Sequence, residues 1–233
     1  GLSFEQPAEA LDSISKGTLN LLEAVRFVSP ETKLYNAGSS ECFGDTGDTA
    51  ANENTPFSPR SPYAVAKASA HWLVQNYRTS YDLFACTGML FNHESPLRPP
   101  RFVTQKIVRS AAQIASVGKG LLELGNVDIY RDWGWAPEYV QVMWLMLQQQ
   151  QPADYVVATG RSCSLEHFVE RSFQWFGLDW RDYVRLNNHL RRPSDIKFSR
   201  GDPALAATRL GWKAKLDVDG VIDSMCAEIS SDF

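Results

Sequence analysis

The run Leu34-Tyr35-Asn36-Ala37-Gly38-Ser39-Ser40-Glu41, followed some twenty residues later by Ser61-Pro62-Tyr63-Ala64-Val65-Ala66-Lys67, decides how the rest of the chain is read. The first piece is an apolar segment that delivers a hydroxyl (Ser39) and a carboxylate (Glu41) to its end. The second opens a helix: Ser61 can cap free N–H groups, and proline suits the first helical turn. Tyr63 and Lys67 stand four apart and therefore share one helix face. An ammonium beside a phenol favours the phenolate, which predicts a Tyr63 pKa below its usual value of about 10. Strand end and helix face together make a site that moves protons. A helix with one exposed lysine and one half-buried tyrosine would show the same pair, so the surrounding segments carry the weight.

Outward from that stretch, hydrophobic periodicity predicts alternating helices and strands. A helix over 8–28 stops before Pro30 and precedes a strand at 33–37. After the polar loop 45–54 comes the helix from Pro62 to about Tyr81, with Val65, Trp72 and Leu73 facing the core. A strand at 83–91 ends in Asn92-His93-Glu94-Ser95-Pro96. Beyond Pro100 the pattern predicts a helix at 102–117, a strand at 121–124, a loop to Trp135, a helix at 138–148, a strand at 155–158, a helix at 165–176 and a polar stretch to Gly201. Such alternation implies a doubly wound α/β fold with ligands at the carboxyl ends of the strands, where Ser39 and Glu41 fall.

Composition excludes several classes. With 44% hydrophobic and 21% charged residues the chain folds rather than staying disordered. A net charge of −4 argues against nucleic acid or an anionic membrane as partner. Cys42, Cys86, Cys163 and Cys226 lie far apart, which gives no metal-ligand spacing and reads as free thiols in a reducing compartment, so the cytoplasm is the expected location and no metal is expected. No apolar run is long enough to span a bilayer.

The chain resembles the extended short-chain dehydrogenase/reductase superfamily and, within it, the GDP-mannose 4,6-dehydratases. The resemblance is carried by Ser39-Ser40-Glu41, by Thr55-Pro56-Phe57-Ser58-Pro59-Arg60-Ser61-Pro62-Tyr63-Ala64-Val65-Ala66-Lys67, and by Leu90-Phe91-Asn92-His93-Glu94-Ser95-Pro96. Phe102-Val103-Thr104, Leu124-Gly125-Asn126, Arg131-Asp132-Trp133-Gly134 and Leu210-Gly211-Trp212 follow in order. Trp135 stands where that family usually has histidine, Leu97 replaces the first of two arginines, and Gln105 replaces a basic residue. No glycine-rich G-x-x-G-x-x-G or G-x-G-x-x-G loop is present; the resemblance implies that it lies upstream and that this chain is a fragment.

What the resemblance implies is specific. The fold would be the C-terminal part of a Rossmann-like parallel sheet (residues 1–92 and roughly 132–150) plus a smaller α/β substrate-binding domain (93–131 and 151–233). The reaction would be dehydration of GDP-mannose to its 4-keto-6-deoxy form through bound NADP, in a homo-oligomer. Tyr63 would remove the C4 hydroxyl proton with its phenolate favoured by Lys67, which would also hold the nicotinamide ribose. Ser39 would hydrogen-bond the C4 oxygen, and Glu41 would remove the C5 proton; either Glu41 or Tyr63 would protonate the departing C6 hydroxyl. His93 and Arg98 would contact the cofactor. Val103, Lys106, Leu124 and Asn126 would surround the guanine. On chemical grounds the planar forks of Arg131 and Arg192 suit the diphosphate, Asn92 is a further pyrophosphate candidate, and Asp195 could accept from a ribose hydroxyl. A related nucleotide-sugar reductase or epimerase, or a non-catalytic nucleotide-sugar-binding subunit, is the alternative.

Overall fold

A computed structural model describes residues 2–190 and 194–230. The chain opens with helices α1 (Leu2–Glu5), α2 (Pro7–Leu11) and α3 (Gly17–Val28). A π turn over Asp12–Lys16 joins α2 to α3, so the helix expected over 8–28 is one rod with a single widened turn. Ser15 in that turn donates to the Ala66 carbonyl, 3.1 Å away, and fastens the rod to the next helix.

Strand β1 (Leu34–Ala37) leads through a 3-10 turn (Ser40–Phe43) and a long loop to helix α4 (Pro62–Tyr81). Ser61 caps α4 by accepting from the Ala64 N–H at 3.1 Å, and the helix stops at Asp82 in the left-handed region. Strands β2 (Ala85–Leu90) and β3 (Asn92–Glu94) follow, then α5 (Val103–Val117), β4 (Leu122–Leu124), β5 (Tyr130–Arg131) and β6 (Trp133–Trp135). Next come α6 (Ala136–Leu147), β7 (Tyr155–Val157), β8 (Cys163–Ser164), α7 (Leu165–Trp175), α8 (Trp180–Tyr183) and β9 (Val184–Leu186). The described chain closes with β10 (Phe198–Ser199), α9 (Ala204–Leu210) and α10 (Val218–Ser230).

Among the described residues, β1, β2 and β7 form a parallel sheet in that order, with Leu34 opposite Ala85 and Gly88 opposite Tyr155. All six residues of β2 are buried, as a central parallel strand covered on both faces requires. Strand β7, drawn from the stretch that sequence assigned to the second lobe, therefore belongs to the first sheet. Strands β3 and β6 pair in parallel, as do β4 and β9; β5 pairs in parallel with β10 and antiparallel with β8.

Two expectations are corrected. The segment between Leu124 and Trp135, read as a loop, holds β5 and β6, and the polar stretch before Gly201 holds α8, β9 and β10. Strands of two or three residues are too short to leave a periodic signal. Val65 and Trp72, expected in the core, are 45% and 54% exposed. The buried face of α4 is instead built from Ala64, Ala66, Ala68, Ala70, His71, Val74 and Tyr77. Four methyl groups let α4 sit close against its neighbours, and Val65 and Trp72, seven apart, share the stripe left outside.

Two of the hydrophobic clusters hold these elements together. Cys86, Tyr139, Val142, Met146, Val157 and Trp212 pack α6 and α9 onto the first sheet. Ile107, Phe168, Phe173, Val221 and Met225 pack α5, α7 and α10 together as the centre of the second lobe.

Candidate active site

The site lies at the carboxyl end of β1. Strand β1 hands over to Gly38, where an added Cβ would meet Thr87 and Met89 side chains, so the strand end can pass only as glycine. Ser39, 9% exposed, then caps the 3-10 turn, its hydroxyl oxygen accepting from the Glu41 N–H at 3.3 Å. Cys42 and Phe43 of that turn are buried, which fixes Glu41 between them and Ser39. Gly44 has φ +70, and an added Cβ there would run into the Ser58 carbonyl, so the turn can close only on glycine.

Helix α4 brings the second half of the site. Tyr63 is hydrogen-bonded to the Ser39 side chain. Lys67 donates to the Ala37 carbonyl at 2.9 Å, and its ammonium sits 5.8 Å from the centre of the Tyr63 ring. The Ser61 hydroxyl donates to Glu41 Oε2 at 3.2 Å. The structure therefore brings Ser39, Glu41, Tyr63 and Lys67 into one cluster, and it adds Ser61. Sequence reasoning gave Ser61 only its capping role; the second contact appears once helix and turn are placed side by side.

The electrostatics correct one expectation. Burial pushes the Tyr63 phenol up from its ordinary pKa, while a hydrogen bond from Ser39 and the charge of Arg98 pull the other way and Glu41 adds to the rise. The predicted depression by Lys67 is not the governing effect: burial lowers the lysine's own pKa, and its ammonium is committed to a backbone carbonyl. The Arg98 charge lowers the Tyr63 pKa, against the larger effect of burial.

Arg98 is held from three sides. It donates to the His93 carbonyl at 2.9 Å, lies 3.0 Å from Glu94 Oε2, and stacks its guanidinium 4.0 Å over the Phe102 ring. Glu94 is 1% exposed and accepts from the Thr104 hydroxyl at 2.7 Å; burial raises its pKa to about 7. His93 stacks on Tyr139 with ring centres 4.9 Å apart, and its Nδ1 lies 2.9 Å from the Phe91 carbonyl. Both proposed cofactor contacts lie on the strand and loop that follow Phe91, and the charge of Arg98 acts on Tyr63.

The remaining predicted residues fall into two groups. Val103 opens α5 and packs against the cluster that contains Leu124, and Lys106, one turn on, donates to the Glu123 carbonyl at 2.6 Å. Asn126 follows β4, and its side chain accepts from the Asp128 N–H at 3.0 Å. Arg131 on β5 donates to the carbonyls of Tyr130 and Lys197, at 2.8 and 3.3 Å. Asn92 opens β3 opposite Trp133, and Asp195 is exposed. Arg192 lies outside the described residues.

A carboxylate beside a hydroxyl pair and a lysine can remove a proton from carbon once a neighbouring carbonyl has acidified it, which a hydroxyl pair and lysine alone cannot do. Comparison with known proteins identifies the family. The family model for GDP-mannose 4,6 dehydratase matches residues 1–225. GDP-mannose 4,6 dehydratase 2 of Arabidopsis thaliana is 46% identical over 231 residues, covering 97% of this chain and 62% of its own length. The GDP-mannose 4,6-dehydratase of Vibrio cholerae is 42% identical over 257 residues, covering 98% of this chain and 68% of its own. Among solved structures, RMD from Pseudomonas aeruginosa, complexed with NADPH, superposes with a TM-score of 0.88 at 22% identity, over 99% of this chain and 76% of that one. That likeness shows the fold. The chain spans 62% of the length of the plant relative.

Proposed function

The chain belongs to the GDP-mannose 4,6-dehydratase family, and on that premise we propose that the protein dehydrates GDP-mannose to GDP-4-keto-6-deoxy-mannose. The observation that carries this reading is Glu41, fixed by Ser61 at 3.2 Å within the Ser39, Tyr63 and Lys67 cluster. A reductase acting on a 4-keto sugar needs the last three residues and no carboxylate base.

The donor set fits the nicotinamide end of a dinucleotide. Lys67 uses one N–H on Ala37 and keeps two more for ribose hydroxyls. Beside it runs an open groove of about 520 Å³ lined by Ser13, Ile14, Gly17, Thr18, Asn20 and Leu21. Bound NADP would supply the hydride acceptor and donor. Tyr63 takes the proton of the sugar C4 hydroxyl, and Ser39 hydrogen-bonds the same oxygen. Glu41 then removes the C5 proton that the C4 carbonyl has made acidic. Either Glu41 or Tyr63 returns a proton to the departing C6 hydroxyl. His93 and Arg98 flank the cofactor side. Val103, Lys106, Leu124 and Asn126 receive the guanine, and Asn92, Arg131, Arg192 and Asp195 the diphosphate and ribose.

The protein is cytoplasmic and a homo-oligomer in this reading. No helix of the described residues is long and apolar enough to cross a membrane. Leu21 and Phe27 on α3 and Val65 and Trp72 on α4 present exposed apolar surface, which supports self-association. Incubating the whole protein with NADP and GDP-mannose tests the proposal: a 4-keto-6-deoxy product is expected, and an epimer or unchanged sugar overturns it.

A further inference from the structure

The loop after the 3-10 turn is laced to strand β10. Asp45 Oδ2 accepts from the Lys197 N–H at 2.8 Å, and Oδ1 accepts from the Phe198 N–H at 3.3 Å and from the Gly47 N–H at 3.0 Å. Thr46 extends the lacing: its N–H donates to the Phe198 carbonyl at 3.0 Å, and its hydroxyl oxygen accepts from the Arg200 N–H at 3.1 Å. Further along, Ala51 donates to the Arg200 carbonyl and accepts from Asp202, at 2.8 and 2.9 Å. Six groups of this loop thus bond the segment that runs from Lys197 to Asp202.

The peptide group that Asp45 grips also touches the diphosphate candidate. Phe198 N–H and Lys197 C=O belong to a single planar unit. Asp45 holds its N–H, while Arg131 Nη1 and the Tyr130 N–H donate to its carbonyl, at 3.3 and 2.7 Å. On the other side, Asp45 is separated from Glu41 only by Cys42 and Phe43, buried in the 3-10 turn, and by Gly44, where an added Cβ would run into the Ser58 carbonyl. The arginine's charge in turn helps hold the Asp45 carboxyl below its ordinary pKa, with the three N–H donors and against the cost of burial.

We propose that Asp45 is a positioning residue that fixes Arg131 relative to Glu41, acting through the peptide between Lys197 and Phe198. It sets the distance between the group that grips a nucleoside diphosphate and the base that acts on the attached sugar. This deepens the dehydratase reading and rests on it.

The test is GDP binding by the whole protein, with Asp45→Ala and Arg131→Ala measured singly and together. Asp45→Ala is expected to weaken GDP about three- to tenfold, the worth of hydrogen bonds to a charged group that is itself exposed. Adding Asp45→Ala to Arg131→Ala should weaken binding no further, because the carboxylate acts through the guanidinium. Asp45→Asn, which keeps one acceptor oxygen and the side-chain shape, should fall between and guards against loss of folding. A merely structural role predicts the same factor in both backgrounds together with a lower melting temperature, and that result overturns the proposal. Tighter GDP binding in Asp45→Ala also overturns it, since the carboxylate would then compete with phosphate. An unchanged protein that binds no GDP removes the nucleotide-sugar reading itself, whereas additivity with normal GDP binding removes only this inference.

Discussion

The Ser61 hydroxyl donates to Glu41 Oε2 at 3.2 Å and, through the same oxygen, accepts from the Ala64 N–H at 3.1 Å. One atom therefore starts the helix that carries Tyr63 and Lys67 and steadies the carboxylate that stands opposite them. Helix start and site assembly cannot be separated at this position.

Replacing Ser61 by Ala should cost about 1 kcal/mol of stability, the usual worth of an N-cap, and lower turnover by letting Glu41 swing. Ser61→Thr keeps the hydroxyl and should retain most of both. Thermal melts and initial rates decide it; equal losses in the two variants would show that the hydroxyl is not the reason.

Glu41→Gln should lower turnover by roughly 10²–10⁴, as loss of a general base does, with GDP-mannose binding little changed. The near-isosteric amide keeps an acceptor for Ser61 and removes only the basicity. Near-normal turnover would take Glu41 out of the mechanism.

Tyr63 must lose its proton to work, and burial makes that harder while the Arg98 guanidinium makes it easier. The acid limb of the kcat/KM profile should therefore rise with increasing pH. Removing Arg98 raises the phenol's pKa further, so Arg98→Ala should move that limb to higher pH. A limb that stays in place when the charge is gone would exclude Arg98 as the tuning cation.

His71 is buried beside Phe57 and Trp72, and its Nδ1 has no hydrogen-bond partner among the described residues. Burial lowers its pKa from the ordinary 6.5, so the folded state favours the neutral ring while the unfolded chain takes up a proton. Its contribution is present above pH 6.5 and is lost as pH falls from there through the depressed folded value. His71→Gln does not titrate, and its melting temperature should fall less steeply over that window. Parallel curves for the two proteins would assign the acid sensitivity elsewhere.

Legibility followed signal length. Helix α4 matches its expected bounds because Ser61-Pro62 marks the start and a twenty-residue helix has ample pattern. Strand β1 and its polar end were readable because four apolar-leaning residues run into glycine and serine. Ser39, Glu41, Tyr63 and Lys67 could be proposed from sequence because each sits on or beside an element with a clear boundary. Strands β5 and β10, two residues each, carry no periodicity, and the contacts of Asp45 span more than 150 positions. The sign of the Tyr63 shift was missed for a different reason: spacing shows that Lys67 is near, but only packing shows how much water has been removed.

The buried alanines of α4 have a consequence for how still the site is. A methyl group has no rotamers, so Ala64, Ala66, Ala68 and Ala70 surrender no side-chain entropy when the helix seats and offer no alternative packing once it has. Tyr63 and Lys67 are carried on a support that has a single way to rest against β1 and β2. The same silence makes tolerance one-sided: any larger residue at Ala64 or Ala66 would shift phenol and ammonium together, leaving their mutual spacing intact while both lose register with Ser39.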